Sequence, residues 1–301
     1  IMFNSFKKVW RDFNGSHVVF CLEGRSWRKD FYKPYKANRK VTSDSRTPRQ
    51  IEDDELYFEA YDDMVQFFAN KTNCTVLRCE TAEADDMIAT WVQQHPQDNH
   101  MIVSTDSDFY QLLAPNVKQY NGTTDQIVSL EGWHDLKTGN VVIDKKTKEE
   151  KPAPNPQWLL FEKCMRGDTA DNVFSAYPGV RTKGTKKKVG LQDAFEDRDS
   201  KGYNWNNMML QRWVDHNGDE HRVMEDFQRN VTLCDLTAQP KEIRTLIEDT
   251  INNVKPKTVE QVGLKLIKFC AKWDMQKIAE YPQTYAEPLN AKYKLKEEAT
   301  A

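Results

Sequence analysis

The spacing of apolar residues along this 301-residue sequence predicts an α/β fold. Three short apolar runs, at 18–22, 75–79 and 101–103, have the length and composition of buried parallel strands. Stretches with apolar residues three or four positions apart lie between them, as in helices that pack one face on a sheet. Strands that alternate with helices in this way predict a parallel sheet with helices on its faces.

The composition of the chain limits the classes of function that the protein can have. Charged residues make up 30% of the sequence, the mean hydropathy is −0.79, and no apolar run is long enough to span a membrane. No signal-peptide pattern opens the chain and its six cysteines form no CxxC pair, which predicts reduced thiols in a cytoplasm. The net charge of −3 hides separate basic and acidic segments, an arrangement that favours a polyanionic partner.

The first elements are an amphipathic helix to about residue 13 and a strand that ends at Glu23. Residues 25–49 then hold nine Lys or Arg and two acids, interleaved with aromatic residues. This pattern is typical of phosphate contact combined with base stacking, although a solvated basic helix has the same composition. The candidate nucleic-acid contacts here are Arg25, Arg28 and Lys29.

A helix predicted over 51–70 and the second strand lead to two acidic clusters. The first cluster opens the next helix and the second follows the third strand. Ligands bind at the carboxyl ends of strands in open α/β sheets, and oxygen-only sites suit Mg²⁺ or Mn²⁺. Helix capping and an Asx-turn would explain each cluster separately, but two clusters one helix apart favour a magnesium site. The clusters are Glu83, Asp85 and Asp86, and Asp106 and Asp108.

The middle of the chain contains a predicted insertion. A short helix and an edge strand at 117–120 are followed by a hairpin at 122–156 with its turn at 138–140. The end of this insertion, 145–156, is polar and rich in proline, which places a domain boundary there. The predicted division is a first domain at 1–150, a mainly helical second domain at 157–285, and a disordered tail at 286–301.

The second domain adds a third acidic pair. A helix that begins near Trp158 ends at Gly167, a residue suited to a helix C-cap, and Asp168 and Asp171 follow on a loop. These acids are further candidates for the same cation site.

A glycine-containing turn at 178–190 is predicted to enter a basic helix. Exposed backbone N–H groups at such a position bind phosphate without reading base sequence. Further helices are predicted over 225–235 and 258–272. The candidate DNA contacts of the turn are Gly179, Arg181, Lys183, Gly184, Lys186, Lys187 and Lys188.

Taken together, the order of these motifs resembles the 5′-nuclease, or flap endonuclease, family. The resemblance runs from about residue 1 to 275 and is strongest to bacteriophage members of the ribonuclease H and 5′-3′ exonuclease type. The motifs that carry it are the strand-end acid with Lys36-x-x-Arg39, then Glu83-Ala-Asp85-Asp86, Thr105-Asp106-Ser107-Asp108, Arg166-Gly167-Asp168-x-x-Asp171-Asn172 and the basic turn.

The resemblance implies a PIN-like three-layer α/β/α domain with a helical arch, and a smaller helix-hairpin-helix-like domain that grips duplex DNA. Residues 41–50 would belong to the arch, which admits a single-stranded 5′ end, and residues 178–190 would hold the downstream duplex. Lys36 and Arg39 match cations that contact the scissile phosphate diester.

Two Mg²⁺ ions, for which Mn²⁺ can substitute, are the implied cofactors. Two such ions about 4 Å apart can together activate a water and stabilise the leaving oxygen. By matching position, Glu83, Asp85, Asp86 and Asp106 resemble ligands of a first ion, Asp108, Asp168 and Asp171 resemble ligands of a second, and Glu23 is a further candidate.

The implied function is a structure-specific 5′-nuclease that removes RNA primers or 5′ flaps during DNA replication. Its expected substrates are branched or flapped DNA and RNA–DNA hybrids, and replication proteins are candidate partners. We expect a monomer without membrane contact, in the cytoplasm, or in the host's cytoplasm if the chain is encoded by a phage.

Two departures from the family pattern bear on whether this truncated chain is itself active. The family's first strand, which ends in an aspartate of the metal cluster, has no counterpart before the first helix, and we expect fragmentation or trimming to have removed it. Glu23 stands where the family usually has aspartate. The alternative is a non-catalytic branched-DNA-binding protein with a degenerate nuclease fold. Asp106-x-Asp108 also resembles an aspartyl-phosphate motif, which would need a covalent carboxylate.

Overall fold

The computed structural model describes residues 2–39 and 46–293. Helix α1 (Met2–Asp12) leads into strand β1 (Val19–Leu22), which pairs in parallel with β2 (Thr75–Arg78). The pairing runs in register from Val19 opposite Thr75 to Leu22 opposite Arg78. The first two predicted strands are confirmed, and among the described residues they form a two-stranded sheet of their own.

Two helices lie between β1 and β2 in the chain. They are the short α2 (Arg28–Phe31) and the long α3 (Pro48–Lys71). Helix α3 begins where the sequence offers a capping box, because Thr47 accepts from the Gln50 backbone and the Gln50 side chain accepts from the Thr47 backbone. Of the expected arch segment at 41–50, residues 41–45 lie outside the described part of the chain.

The second sheet has four strands. In spatial order they are β3 (His100–Val103), β4 (Val117–Asn121), β5 (Gln126–Ser129) and β6 (Gly132–Asp135). Strands β3 and β4 are parallel, and the other neighbours are antiparallel. Helix α4 (Ala84–Gln94) joins β2 to β3, and a 3₁₀ helix (Ser107–Leu112) joins β3 to β4. Both share an apolar core with the second sheet.

Two expectations for this region are wrong in detail. Strand β4 pairs on both sides, so it is not an edge strand, because β5 continues the sheet beyond it. The hairpin turn joins β5 to β6 at Leu130 and Glu131, and the predicted turn at 138–140 follows β6 instead. The inserted segment therefore extends the sheet, and its Trp133 packs on Tyr110 of the 3₁₀ helix with ring centroids 5.0 Å apart.

The next part of the chain is mainly helical. Helix α5 (Pro156–Arg166) packs on α8, and both share a core around Phe161 and Met165. Residues 186–189 are not helical, so the predicted basic helix is wrong, and the chain enters α6 only after Gly190. The elements after α5 are α6 (Leu191–Glu196), α7 (Tyr203–Met209), the antiparallel strands β7 (Arg212–Val214) and β8 (Glu220–Arg222), and α8 (Val223–Cys234).

Four last helices return the chain to the first sheet. They are α9 (Lys241–Asn252), α10 (Val262–Lys272), α11 (Gln276–Ala279) and α12 (Pro282–Asn290). Helix α9 packs on α4, and α12 packs on α1 and α10. The expectation of a disordered tail from residue 286 is wrong for its first residues, because Ala286 and Leu289 are buried in the core of the first sheet. Residues 294–301 lie outside the described part.

The α/β class predicted from the sequence is confirmed by this arrangement of sheets and helices. All six cysteines are free, and five of them are buried. In the described part of the chain, no helix has the length and apolar character needed to cross a membrane.

Candidate active site

A cleft lined by carboxylates lies where α4, the 3₁₀ helix and the loop after α5 meet. Five of the sequence-predicted acids line it, together with Tyr35 and Lys163. Segments that are far apart in sequence therefore converge on one place. The five acids are Glu83, Asp85, Asp108, Asp168 and Asp171.

Local chain geometry sets the position of each acidic segment. Glu83 is the N-cap of α4, and its backbone N–H donates to Asp86 at 3.2 Å. Asp106 caps the 3₁₀ helix by accepting from the Asp108 backbone at 2.9 Å. Helix capping and an Asx-type turn, which were the alternatives to a metal site, are thus both present. They also fix the positions of these acids beside the cleft.

The loop after α5 is turned sharply by Gly167. Its φ of +77° lies in the left-handed region, and a Cβ atom there would lie 2.3 Å from the carbonyl oxygen of Val173. Asp168 then accepts from the backbone of Ala170 at 2.8 Å and Asp171 at 3.3 Å. This folding brings the two aspartates of the loop to the cleft.

Lys36 and Arg39 pair with acids of the cleft. The ammonium group of Lys36 forms an ion pair with Glu83 and lies 3.6 Å from Asp171 Oδ2. Arg39 Nη2 donates to Asp171 Oδ1 at 2.7 Å while its side chain stays 61% exposed. Burial opposes ionisation of Glu83, but the charges of Lys36 and Arg28, together with hydrogen bonds from Lys36 and Tyr35, outweigh it, so the pKa of Glu83 is lowered.

Tyr35 and the backbone of Lys36 fix this segment onto the acidic loop. The hydroxyl of Tyr35 lies 3.0 Å from Glu83 Oε2 and 3.1 Å from Asp171 Oδ2. The Lys36 backbone N–H donates to the Asp171 carbonyl at 2.8 Å, with Lys36 in the left-handed region at φ +53°. The non-glycine φ value and the buried tyrosine indicate a segment held by its surroundings.

Lys163, which the sequence analysis did not select, neutralises the other half of the cleft. Its ammonium group pairs with Asp108 and lies 2.7 Å from Asp168 Oδ2. Burial raises the pKa of Asp108, against the pull of Lys163. At Asp168 burial acts in the same direction, but Lys163 and the backbone N–H groups of Ala170 and Asp171 together outweigh it, so the pKa is lowered. A lysine on the last turn of a helix, five residues before an acidic pair, was the available sequence signal.

Asp85, Asp106 and Glu23 form an acidic group without such compensation. Burial and the charges of Asp106, Glu23 and Glu83 together raise the pKa of Asp85 to about 7. Glu23 also accepts from the Ala84 backbone at 3.1 Å, which places it at the start of α4. Within the described part of the chain, no ion pair involves these three acids.

Asp86 and Arg28 are corrections to the sequence prediction. Asp86 has no exposed surface, and its carboxylate accepts two hydrogen bonds of 2.8 Å from Arg28 and one of 3.1 Å from Trp27. Arg28 is 1% exposed and also donates to the Leu233 carbonyl. Asp86 therefore faces the protein interior and not the cleft. Arg28 is buried and forms ion pairs with Glu83 and Asp86, so it is not available as a DNA contact.

The other predicted basic residues lie at the surface. Arg25 and Lys29 are exposed, and Arg25 pairs with Asp30 at 2.6 Å. Arg166 stabilises the basic turn, because it donates to the Val180 carbonyl at 3.2 Å and to the Thr182 hydroxyl at 2.6 Å. Six of the seven predicted DNA contacts in the turn are exposed, namely Gly179, Arg181, Lys183, Lys186, Lys187 and Lys188.

Gly184 lies inside this turn, where its backbone approaches that of Gly190 closely. A Cβ atom at Gly184 would lie 2.0 Å from Asp193 Oδ2, and one at Gly190 would lie 2.3 Å from the Gly184 nitrogen. The glycines thus shape the turn, and the lysines project from it.

The donor chemistry of the cleft suits a hard divalent cation, although the cations of the protein itself now pair with several of its acids. All the acidic side chains offer oxygen, and a bound cation would reduce the repulsion that the neighbouring acids exert on Asp85. Across residues 2–39 and 46–293, no three carboxylate, imidazole or thiol groups are arranged closely enough to hold a metal ion.

The fold is of the PIN-like α/β class, and two solved structures share it. A solved structure of bacteriophage T5 flap endonuclease, with DNA and metal ions, aligns with a TM-score of 0.55 at 22% identity, over 92% of this chain and 89% of that one. Another, of T5 5′-exonuclease with zinc, has a TM-score of 0.56 at 18% identity, over 83% and 88%. These likenesses show the fold.

Residues 1–147, just under half of the chain, match the family described as the 5′-3′ exonuclease, N-terminal resolvase-like domain. Ribonuclease H of Enterobacteria phage T4 is 29% identical over 58% of this chain and 52% of its own length. Flap endonuclease Xni of Shewanella loihica is 30% identical over 63% of both chains. DNA polymerase I of Rhizobium leguminosarum is 29% identical over 61% of this chain and 15% of its own length.

The chain therefore spans less than two thirds of the length of each of these curated relatives. The family to which the sequence motifs pointed is confirmed, and it is a family of nucleases.

Proposed function

We propose that this chain is a structure-specific 5′-nuclease that hydrolyses phosphodiesters in flapped or branched DNA and in RNA–DNA hybrids. The observation that carries the proposal is the cleft in which acids from α4, the 3₁₀ helix and the loop after α5 meet two cations from the segment before α3. A phosphodiester is anionic and its leaving group is poor, so both features serve its cleavage.

The proposed reaction is the addition of water across a P–O bond. The water oxygen bonds to phosphorus, one P–O bond breaks, and the leaving oxygen takes up a proton. Arg39, with its exposed guanidinium group, would bind a non-bridging oxygen of the phosphate, and Lys36 would stabilise the charge that develops there. Both side chains now pair with carboxylates, so the substrate phosphate would compete with Asp171 and Glu83 for them.

Two divalent cations, Mg²⁺ or Mn²⁺, are the proposed cofactors. When bound, they would supply Lewis acidity and a more acidic water. The residues proposed to hold them are Glu23, Glu83, Asp85, Asp106, Asp108, Asp168 and Asp171, which offer only oxygen donors. Asp85 supports this assignment, because burial and neighbouring carboxylates raise its pKa and such perturbed groups are typical of functional sites.

A division of labour along the chain is part of the proposal. Residues 1–150 would carry the cleavage site, and residues 157–285 would bind the duplex through the basic turn at 178–190. The backbone of that turn is braced by Arg166, on the same helix as Lys163, which supports a fixed distance between duplex and cleft. We propose a monomer that acts in the cytoplasm during DNA replication.

Cleavage of a DNA substrate with a fluorescent 5′ flap, with Mg²⁺ or with EDTA, tests the function. We expect Mg²⁺-dependent release of the flap by the wild-type chain. Asp106→Asn should lower cleavage by about 100-fold or more, the size seen for key electrostatic groups, while DNA binding stays unchanged. Asp199→Asn, at a carboxylate whose side chain is 85% exposed, is the matched control and should cleave normally.

A chain that releases no product from flapped DNA, nicked DNA or an RNA–DNA hybrid in either metal would contradict the proposal. Equal cleavage by Asp106→Asn and the control would remove Asp106 from the site.

A second candidate is a branched-DNA-binding protein that does not cut. It is favoured by the pairing of Lys36 with Glu83 and of Lys163 with Asp108 and Asp168, which neutralises acids without a metal. Titration calorimetry with Mg²⁺ and Mn²⁺ discriminates the two. Saturable binding that Asp106→Asn weakens supports the nuclease, and DNA binding without any metal uptake supports this second candidate.

A further inference from the structure

The outer half of helix α3 carries large apolar side chains that no described residue covers. Ile51, Tyr57 and Phe58 expose 48%, 62% and 56% of their surface. The other end of the same helix is packed, since Phe67 and Phe68 are 4% and 3% exposed in the core of the first sheet. One helix is thus buried at its end and uncovered at its beginning.

The exposed side chains continue the face that is buried further along the helix. Counting from Ile51, Phe58 follows after seven residues, Tyr61 after three more, Val65 after four and Phe68 after three. Steps of three, four and seven residues keep side chains on one face of an α-helix. The stripe therefore runs from the core into the open outer half of α3.

The aromatic rings of this outer half form one contiguous surface. Tyr57 and Phe58 meet edge to face with centroids 5.5 Å apart, and Tyr57 and Tyr61 stack at 6.4 Å with an interplanar angle of 21°. Clustered exposed rings of this kind are typical of interaction sites, because aromatic side chains bury much apolar area at a low cost in conformational entropy.

The same stretch is strongly acidic. Residues 52–63 contain seven acids and no Lys or Arg. Among the described ion pairs only two involve these acids, Arg46 with Asp54 at 2.6 Å and Lys272 with Asp63 at 2.9 Å. The remaining acids, Glu52, Asp53, Glu55, Glu59 and Asp62, flank the apolar stripe without an ion pair in the described part of the chain.

This combination of shape and charge selects one kind of occupant. A nucleic-acid strand would bring phosphates against the acids, and a second copy of α3 would bring the same negative charge. A helix with an apolar stripe between lysines or arginines complements both the rings and the carboxylates. We propose that the outer half of α3 is a docking surface for a cationic amphipathic helix of a partner protein.

The proposal is independent of the nuclease assignment, because it uses no residue of the cleft. It predicts that the chain binds a synthetic peptide of leucine and lysine whose leucines form a helical stripe. A peptide of the same composition with scrambled order, which has no stripe, is the control ligand. Fluorescence anisotropy of the labelled peptides, titrated with the full chain, measures both affinities.

Two variants of the protein separate apolar from electrostatic contributions. Tyr57→Ala/Phe58→Ala removes the rings, and Glu52→Gln/Glu55→Gln/Glu59→Gln removes charge from the flanks. We expect each to weaken binding of the striped peptide by about tenfold or more, as for the loss of central interface side chains. Leu130→Ala/Ile143→Ala, at exposed apolar residues of the inserted segment, should bind like the wild type. Circular dichroism of all variants establishes that α3 stays folded.

Three results would overturn the proposal. The first is equal affinity of the wild type for the striped and scrambled peptides, and the second is unchanged binding of the striped peptide by both α3 variants. The third is a labelled oligothymidine that binds the wild type and is lost in Tyr57→Ala/Phe58→Ala, which would make the stripe a base-stacking surface.

Discussion

Lys163 Nζ lies 2.7 Å from Asp168 Oδ2, so the last turn of α5 neutralises the first acid of the loop that follows it. The same ammonium group pairs with Asp108 at the start of the 3₁₀ helix. One lysine thus joins carboxylates from two parts of the chain that are 60 residues apart, in a place where they would otherwise repel each other.

Removal of this lysine charge should destabilise the metal-free protein. Lys163→Met leaves Asp108 and Asp168 close together without a cation, and we expect a loss of about 1–3 kcal/mol in the free energy of unfolding in EDTA. Added Mg²⁺ should restore part of the loss. Thermal unfolding with and without Mg²⁺ measures it, with exposed Lys146→Met as control. Equal unfolding temperatures of the two variants in EDTA would contradict the role of Lys163.

The titration of Asp85 should make stability fall as pH rises. Its carboxyl keeps a proton to about pH 7 in the folded state, whereas the ordinary value is 3.8. The folded state therefore binds more protons between about pH 4 and 7, and its stability decreases over that range.

Asp85→Asn removes this penalty. In EDTA at pH 8 we expect the variant to be more stable than the wild type by roughly 2–4 kcal/mol, from 1.36 kcal/mol for each unit of pKa shift. The difference should vanish near pH 4. Denaturant unfolding at both pH values is the measurement, and a difference that does not change with pH would show that the Asp85 carboxyl titrates normally.

Arg28 should matter for stability and not for DNA affinity. Arg28→Met leaves Asp86 as a buried charge without its cation and removes one of the two cations that pair with Glu83, which costs about 3–5 kcal/mol. Arg25→Met is the matched change at an exposed arginine of the same segment and should alter stability by less than about 0.5 kcal/mol. Urea unfolding compares them. If both variants were equally stable, Arg28 would not be a buried structural residue, and its predicted role as an exposed DNA contact would stand.

Arg166 should set duplex affinity through the basic turn. Arg166→Ala removes the bonds to Val180 and Thr182, so we expect weaker binding of flapped DNA, by about three- to tenfold, with little change in kcat. Arg166→Lys keeps the charge but cannot donate to both oxygens, and should resemble Arg166→Ala. Arg212→Ala, at an exposed arginine of the β7–β8 hairpin, is the control. A wild-type KM in Arg166→Lys would mean that the positive charge at this position, and not the two hydrogen bonds to the turn, determines DNA affinity.

Helix starts and strand positions were predictable because their causes are local. Glu83 and Asp106 cap the elements that follow them, as their sequence context indicated. Gly167 ends α5 where a C-cap glycine was expected. By contrast, the pairing of β4 on both sides depends on the strands contributed by the insertion, and a strand's own residues do not reveal how many neighbours it has.

The roles of Arg28 and Asp86 could not be read from local sequence. Arg28 lies among exposed cations in the chain, but Asp86 and the Leu233 carbonyl, 205 residues away, enclose its guanidinium group. Trp27 and Tyr35, which suggested base stacking, are buried at 5% exposure each. Burial of an arginine depends on partners brought by the whole fold.

The sequence by itself determined the family, the order of the elements and which acids approach one another, because motif spacing, periodicity and capping act over a few residues. Only the tertiary structure decided which charges meet. It buried Asp86, placed Lys163 between Asp108 and Asp168, and left Asp85 outside the described ion pairs, because electrostatic energies depend on distance and burial and not on separation along the chain.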